Sequence, residues 1–146
     1  EYGEQIMWVV VSGGVSSIGN NAFRDCRNLG AVVLPNSVKE IGNAAFSCSE
    51  NLVSITFSSS ITSIPPDLFY NCSALKSISL PSHVSAIGDC AFQHCISLKS
   101  ITIPRLVGVI GYNAFDNCSS LETVSIPCGA VYPRTAFPSF VTINKY

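Results

Sequence analysis

Apolar residues return along this chain every 23 positions. Phe23, Phe46, Phe69, Phe92 and Phe115 share one register, Ile18, Ile41, Ile64, Ile87 and Ile110 a second, and Leu29, Leu52, Leu75, Leu98 and Leu121 a third. A unit this short cannot bury an apolar face alone and has to stack on copies of itself, so the period predicts a solenoid. Within one unit, Leu98-Lys-Ser-Ile101-Thr-Ile103 alternates inward and outward over its last four residues as a strand does. The other half runs from Val84 through Ile87, Gly88, Ala91 and Phe92 to Cys95. It predicts a turn at Gly88, with Ile87, Ala91, Phe92 and Cys95 directed inward and the opposite wall built from short turns or helical turns.

The predicted organisation is a single domain over residues 1–146, with a partial N-terminal repeat at 6–14, five repeats over 15–129 and an irregular C-terminal cap over 130–146. The repeats open on Val15, Val38, Ile61, Val84 and Val107. Ile6, Val9 and Val11 stand one period before Leu29, Val32 and Leu34, so the chain opens on a strand without its other half. The expectation is a chain that continues upstream or is covered there by a partner, because Glu1 to Gln5 is too short for a polar cap. Near the other end Ala136-Phe137 arrives one residue early, and Pro133, Pro138 and Phe140 interrupt the pattern before Val141-Thr-Ile143.

Two repeats depart from the rest. The second has Cys48 one position ahead of the cysteine column, with Ser49 in that column, and Ser58-Ser59-Ser60 where other units turn on Pro35, Pro81, Pro104 and Pro127, so a bulge is expected. The third has Pro65-Pro66 in place of the glycine turn. Proline excludes the positive φ that glycine allows and removes two amide donors, so that turn is expected to differ from its neighbours.

The repeat resembles the BspA-like, treponemal-type leucine-rich repeats, whose units read LxxIxIPxSVxxIGxxAFxxC, over about residues 6 to 129. The resemblance implies a β-rich right-handed coil with one parallel sheet on its concave face. It also implies a non-catalytic protein-binding module at the cell surface or secreted, adhering to host matrix or to other cells, and the outward columns described below make the strand face the binding surface. The alternative is a structural module that forms a homodimer through its open N-terminal end.

Composition changes this picture little. With 47% apolar and 12% charged residues a packed core is assured, and a net charge of −1 with a pI near 6.1 gives no reason to expect nucleic acid as a partner. No window approaches the roughly 18 apolar residues of a membrane helix, and the N-terminus lacks the layout of a signal peptide, so membrane insertion is not expected and the residues look mature or excised. Seven cysteines are an odd number, and Cys26, Cys72, Cys95 and Cys118 share one repeat position. About 4.8 Å apart on successive coils, they predict a reduced, buried column of small apolar groups rather than a zinc site, whose ligands must converge tetrahedrally. Cys90 and Cys128 lie off the column and are the thiols most open to reaction, although burial is expected for them too.

Candidates for chemistry do not converge. His83 and His94 fall about half a coil apart with no acid partner at a fixed spacing, and Asp25, Asp67, Asp89 and Asp116 occupy different repeat positions, so no catalytic residue, metal or cofactor is expected. The sequons Asn71-Cys-Ser73 and Asn117-Cys-Ser119 put asparagine at an outward position in an Asn/Ser-rich repeat that produces such triplets by chance. The informative surface is the outward side of the strands. Its columns run Met7, Gly30, Val53, Lys76, Lys99, Glu122; then Trp8, Ala31, Ser54, Ser77, Ser100, Thr123; then Val10, Val33, Thr56, Ser79, Thr102, Ser125. The predicted partner-binding residues are the apolar Met7, Trp8, Val10, Ala31, Val33 and Val53 with the charged Lys76 and Lys99.

Overall fold

The computed structural model describes residues 7–146; Ile6, assigned above to the first strand, lies outside the described residues. In chain order the strands are β1 (Met7–Val10), β2 (Ser17–Ile18), β3 (Leu29–Val33), β4 (Glu40–Ile41), β5 (Ser54–Thr56), β6 (Ser63–Ile64), β7 (Ala86–Ile87), β8 (Ser100–Thr102), β9 (Val109–Ile110), β10 (Thr123–Ile126) and β11 (Thr142–Lys145). All pairings between them are parallel, as the right-handed repeat coil requires. The predicted single sheet is divided. One wall carries β1-β3-β5 and, separately, β8-β10-β11; a second wall carries β2-β4 and β6-β7-β9. The second wall thus holds short strands of its own where the sequence suggested only turns.

A third wall is built from turns with a repeating left-handed backbone. Asn21, Ala44, Asp67, Cys90 and Asn113 form one column at positive φ, and Asp25, Cys48, Asn71, His94 and Asn117 a second. Asparagine and aspartate tolerate this conformation, which accounts for their frequency here. The alternate amides donate to the next coil: Ala44 to the Pro66 carbonyl, Phe46 to Leu68 and Cys48 to Tyr70, then Asp67 to Asp89, Phe69 to Ala91 and Asn71 to Gln93.

Inside, the predicted columns are buried without exception from the third repeat onward. Phe46, Phe69, Phe92 and Phe115 are fully inaccessible, and the rings of Phe23, Phe46, Phe69, Phe92, Phe115 and Phe137 stack in sequence with centroids 4.9–5.8 Å apart. Phe137, one residue early in the sequence, still takes the next place in the stack, and β11 pairs with β10 through Thr123↔Thr142. Residues 130–146 therefore go on coiling in a shortened form, with the Tyr146 hydroxyl donating to the Ile103 carbonyl.

Three local expectations change. The glycine column is not there for positive φ, which the structure gives to none of Gly42, Gly88 and Gly111; coils approach too closely for a side chain, and a Cβ on Gly88 would sit 2.5 Å from the Pro66 nitrogen. No bulge forms at the serine triplet: the Ser58 carbonyl accepts the Ile61 amide as Pro35 does that of Val38 and Pro81 that of Val84. The Pro65 turn also keeps its internal bond, from the Leu68 amide to the Pro65 carbonyl, matching Ala91 to Gly88. What proline removes is the bond between coils, since Gly42, Gly88 and Gly111 each donate to the isoleucine of the preceding coil and Pro65 has no N–H to do so.

Candidate binding face

Parallel pairing of β1, β3 and β5 lines up Trp8, Ala31 and Ser54 in one row and Val10, Val33 and Thr56 in another. Trp8 is 79% exposed and Val10 71%, with Met7, Val33 and Val53 also exposed, so the apolar patch spans three adjacent strands. Ala31 does not join the exposed set. It is buried, because its single methyl lies between the larger Trp8 and Ser54 of its row. Register slips by one residue between Met7 and Trp8, so Met7 stands opposite Leu29 rather than Gly30.

Toward the other end the face is hydroxylic and basic. Lys76 and Lys99 are exposed, as are Ser77, Ser79, Ser100 and Thr102. A shallow groove of about 450 Å³ runs there, lined by Ser77, Ile78, Ser79, Leu80, Ser82, Ser100, Ile101, Thr102, Pro104 and Arg105 with no acidic side chain. Arg105 belongs to the turn after β8, and no outward-column argument picks it out; only the groove does.

The column thiols are donors as well as filler. Cys72, Cys95 and Cys118 are buried, and their S–H groups donate to the carbonyls of Phe46, Phe69 and Phe92, one coil back, at 3.1, 3.2 and 3.1 Å. Ser49, the apparent exception, fills the same role: its hydroxyl donates to the Phe23 carbonyl at 2.8 Å. Burial pushes the Cys72 and Cys118 thiols up to about 12 and that of Cys95 well above its ordinary value. Cys26, in the first full coil, is only half-buried, and Cys128 is exposed rather than buried as expected. Cys90 is half-buried, and burial followed by the carboxylates of Asp67, Asp89 and Asp116 raises its pKa, which quiets rather than activates the thiol.

The remaining candidates stay dispersed. His83 is exposed; His94 is half-buried with its ring edge-on to Tyr70 at 5.6 Å. Among the described residues no group of three or more His, Cys, Asp or Glu is placed to hold a metal ion, and no helix is long and apolar enough to cross a membrane. The Asn71 amide donates to Glu50 at 3.4 Å and that of Asn117 to Asp116 at 2.9 Å. Both sequon asparagines occupy left-handed positions, so the backbone accounts for their identity.

The family model described as the BspA type leucine rich repeat region matches residues 2–130 in six copies. The chain belongs to the BspA-type leucine-rich repeat family. This BspA-type chain is similar to a leucine-rich repeat protein of Treponema pallidum, at 32% identity and a TM-score of 0.79, over 85% of its own length and 60% of that protein. It is also similar to a leucine rich cell surface protein of Faecalibacterium prausnitzii, at 31% identity and a TM-score of 0.62, over 99% of its own length and 34% of the other. A leucine-rich repeat protein of Bacteroides ovatus matches at 28% identity and a TM-score of 0.78, over 96% and 45% of the two chains. No curated protein matches it. The BspA-type chain thus spans less than two thirds of each of these relatives.

Proposed function

We propose that this chain is a non-catalytic protein-binding segment of a cell-surface or secreted protein, and that it holds a protein partner on its strand face. The observation that carries the reading is Trp8, 79% exposed beside Val10 of its own strand and Val33 of the neighbouring one. A tryptophan standing on a flat apolar surface is the kind of residue that dominates binding energy, and soluble surfaces seldom leave such patches bare. The cell-surface description of the Faecalibacterium prausnitzii relative supports the location. Met7, Trp8, Val10, Val33 and Val53 supply the apolar contact, and Lys76 and Lys99 steer an acidic partner toward it. The finer reading is adhesion to matrix proteins.

Binding of the chain to a panel of purified extracellular matrix proteins, alongside sedimentation velocity, tests this. Trp8→Ala is expected to keep the fold and weaken binding by about 2 kcal/mol, a factor of about 30 in Kd. Lys76→Glu with Lys99→Glu is expected mainly to slow association, more so at low salt. A chain that self-associates through Trp8 and binds no matrix protein would replace adhesion with self-assembly. Binding that ignores Trp8 but fails on substitution of Asp25 and Asp89, on the left-handed wall, would place the site on the wrong face.

A further inference from the structure

Two walls of the coil lose their hydrogen bonds at one level. On the second wall β4 and β6 are not paired, and Pro65 stands where the bonded glycines stand in other coils. On the strand wall the segment Lys76–Leu80 makes no backbone bond to the strand before or after it. The contrast within each column is direct: the amides of Leu34 and Ile103 donate to Thr56 and Ser125, while those of Phe57 and Leu80, in the same column, have no partner in the next coil. Likewise Val53 and Glu122 donate to Gly30 and Lys99, and Lys76 does not donate to Val53. Both walls are therefore open between the coil that starts at Val38 and the coil that starts at Ile61, and the strand wall alone is open again between that coil and the one that starts at Val84.

Residue size explains the strand-wall opening as proline explains the other. Phe57 occupies the inward column that elsewhere holds Leu34, Leu80, Ile103 and Ile126, and its ring turns edge-on to Phe69 at 6.1 Å. A phenyl group in a leucine-sized place holds the next strand away. The stack widens at the same level, to 5.8 Å between Phe46 and Phe69 against 4.9–5.4 Å elsewhere. The left-handed wall runs through unbroken, by way of Ala44 to Pro66, Phe46 to Leu68 and Cys48 to Tyr70, and at its far corner the Ala74 amide donates to the Glu50 carbonyl.

We infer that this level is a hinge: two paired bodies, one ending at β5 and one beginning at β6, bend about the continuous left-handed wall and so open and close the strand face. The coil starting at Ile61 moves with the second body, to which β6 is tied by its pairing with β7, and leaves its own strand-wall segment Lys76–Leu80 unbonded at the break. The bodies keep their own ladders, and the motion changes the angle between the Trp8 patch and the strand-face row that carries Lys99 without unfolding either. A stack of paired strands resists such bending because every bond along its wall must stretch; removing the bonds from two walls and leaving the third produces an axis.

Hydrogen exchange on the wild-type chain reads the first half of this. The amides of Phe57, Lys76 and Leu80 should exchange at least ~100-fold faster than those of Leu34, Val53, Ile103 and Glu122. The second half needs a distance. Spin labels carried by noncanonical residues at Ser16 and Val131, both exposed and five coils apart in one column at about 24 Å, should give a broad distance distribution. Pro65→Gly with Phe57→Leu, each restoring its column's residue type, should narrow it and slow exchange at Lys76. Equal exchange across the columns, or a distribution as narrow in the wild type as in the variant, would overturn the hinge. Fast exchange with a narrow distribution would do so as well, since it describes a fixed gap.

Discussion

Replacing Cys95 by serine and by alanine separates two accounts of the thiol column. If the sulfurs only fill apolar space, serine buries a hydroxyl in the core and should be the worse substitution, by about 1–3 kcal/mol. If they act as donors, serine should be the better one. Cys95 is fully buried, and the Phe69 carbonyl that accepts its S–H also accepts the Cys72 amide, so alanine removes one of two bonds to that oxygen. The lost bond is worth about 0.5–1.5 kcal/mol, with a further contribution from the space the sulfur leaves. Ser49 supplies the precedent in the same column, donating to Phe23. We therefore expect Cys95→Ser to be more stable than Cys95→Ala by about 1 kcal/mol, measured from urea melts followed by far-ultraviolet circular dichroism. Serine less stable than alanine by a similar margin would refute the donor account and return the column to plain packing.

Phe92→Ala should cost about 3–5 kcal/mol in the same melts, because Phe92 is fully buried and stacked on Phe69 at 5.4 Å and Phe115 at 4.9 Å; a loss under about 1 kcal/mol would contradict the stack. Stability should fall as pH rises from 9 toward 12. Cys72 and Cys118 keep their protons to about 12 when folded, so above the ordinary value of 9.0 the unfolded chain releases protons that the folded one retains; a flat profile over that range, read by circular dichroism, would contradict it. Ala44→Asn should stabilise the chain by about 0.5–1 kcal/mol in thermal melts, since Ala44 sits at φ 55° in a column that elsewhere holds Asn21 and Asn113.

Columns of identical residues made the solenoid legible, since Phe92, Ile87 and Leu98 each repeat at one spacing and side-chain direction follows from spacing alone. The early arrival of Phe137 looked like the end of the pattern because a spacing argument cannot see that a shorter turn brings the ring back onto the stack. Glycine was read through its φ, whereas Gly88 is small because Pro66 of the previous coil lies against it, a contact between residues 22 apart. The exposed patch followed from alternation except at Ala31, where the size of Trp8 in the adjacent strand decides burial. The divided walls were half legible: Pro65 announced missing donors, but their consequence falls on the pairing of β4 with β6, which only register reveals.

Trp8 has a consequence for optical work on this chain. It is the single tryptophan of the sequence and is already 79% in water when folded, so its emission should change little on denaturation. An indole that is blind to unfolding reports something else cleanly. Any blue shift or gain in its fluorescence would come from a body laid over β1, so titrations of candidate ligands can be followed without labels and without mistaking loss of fold for capture.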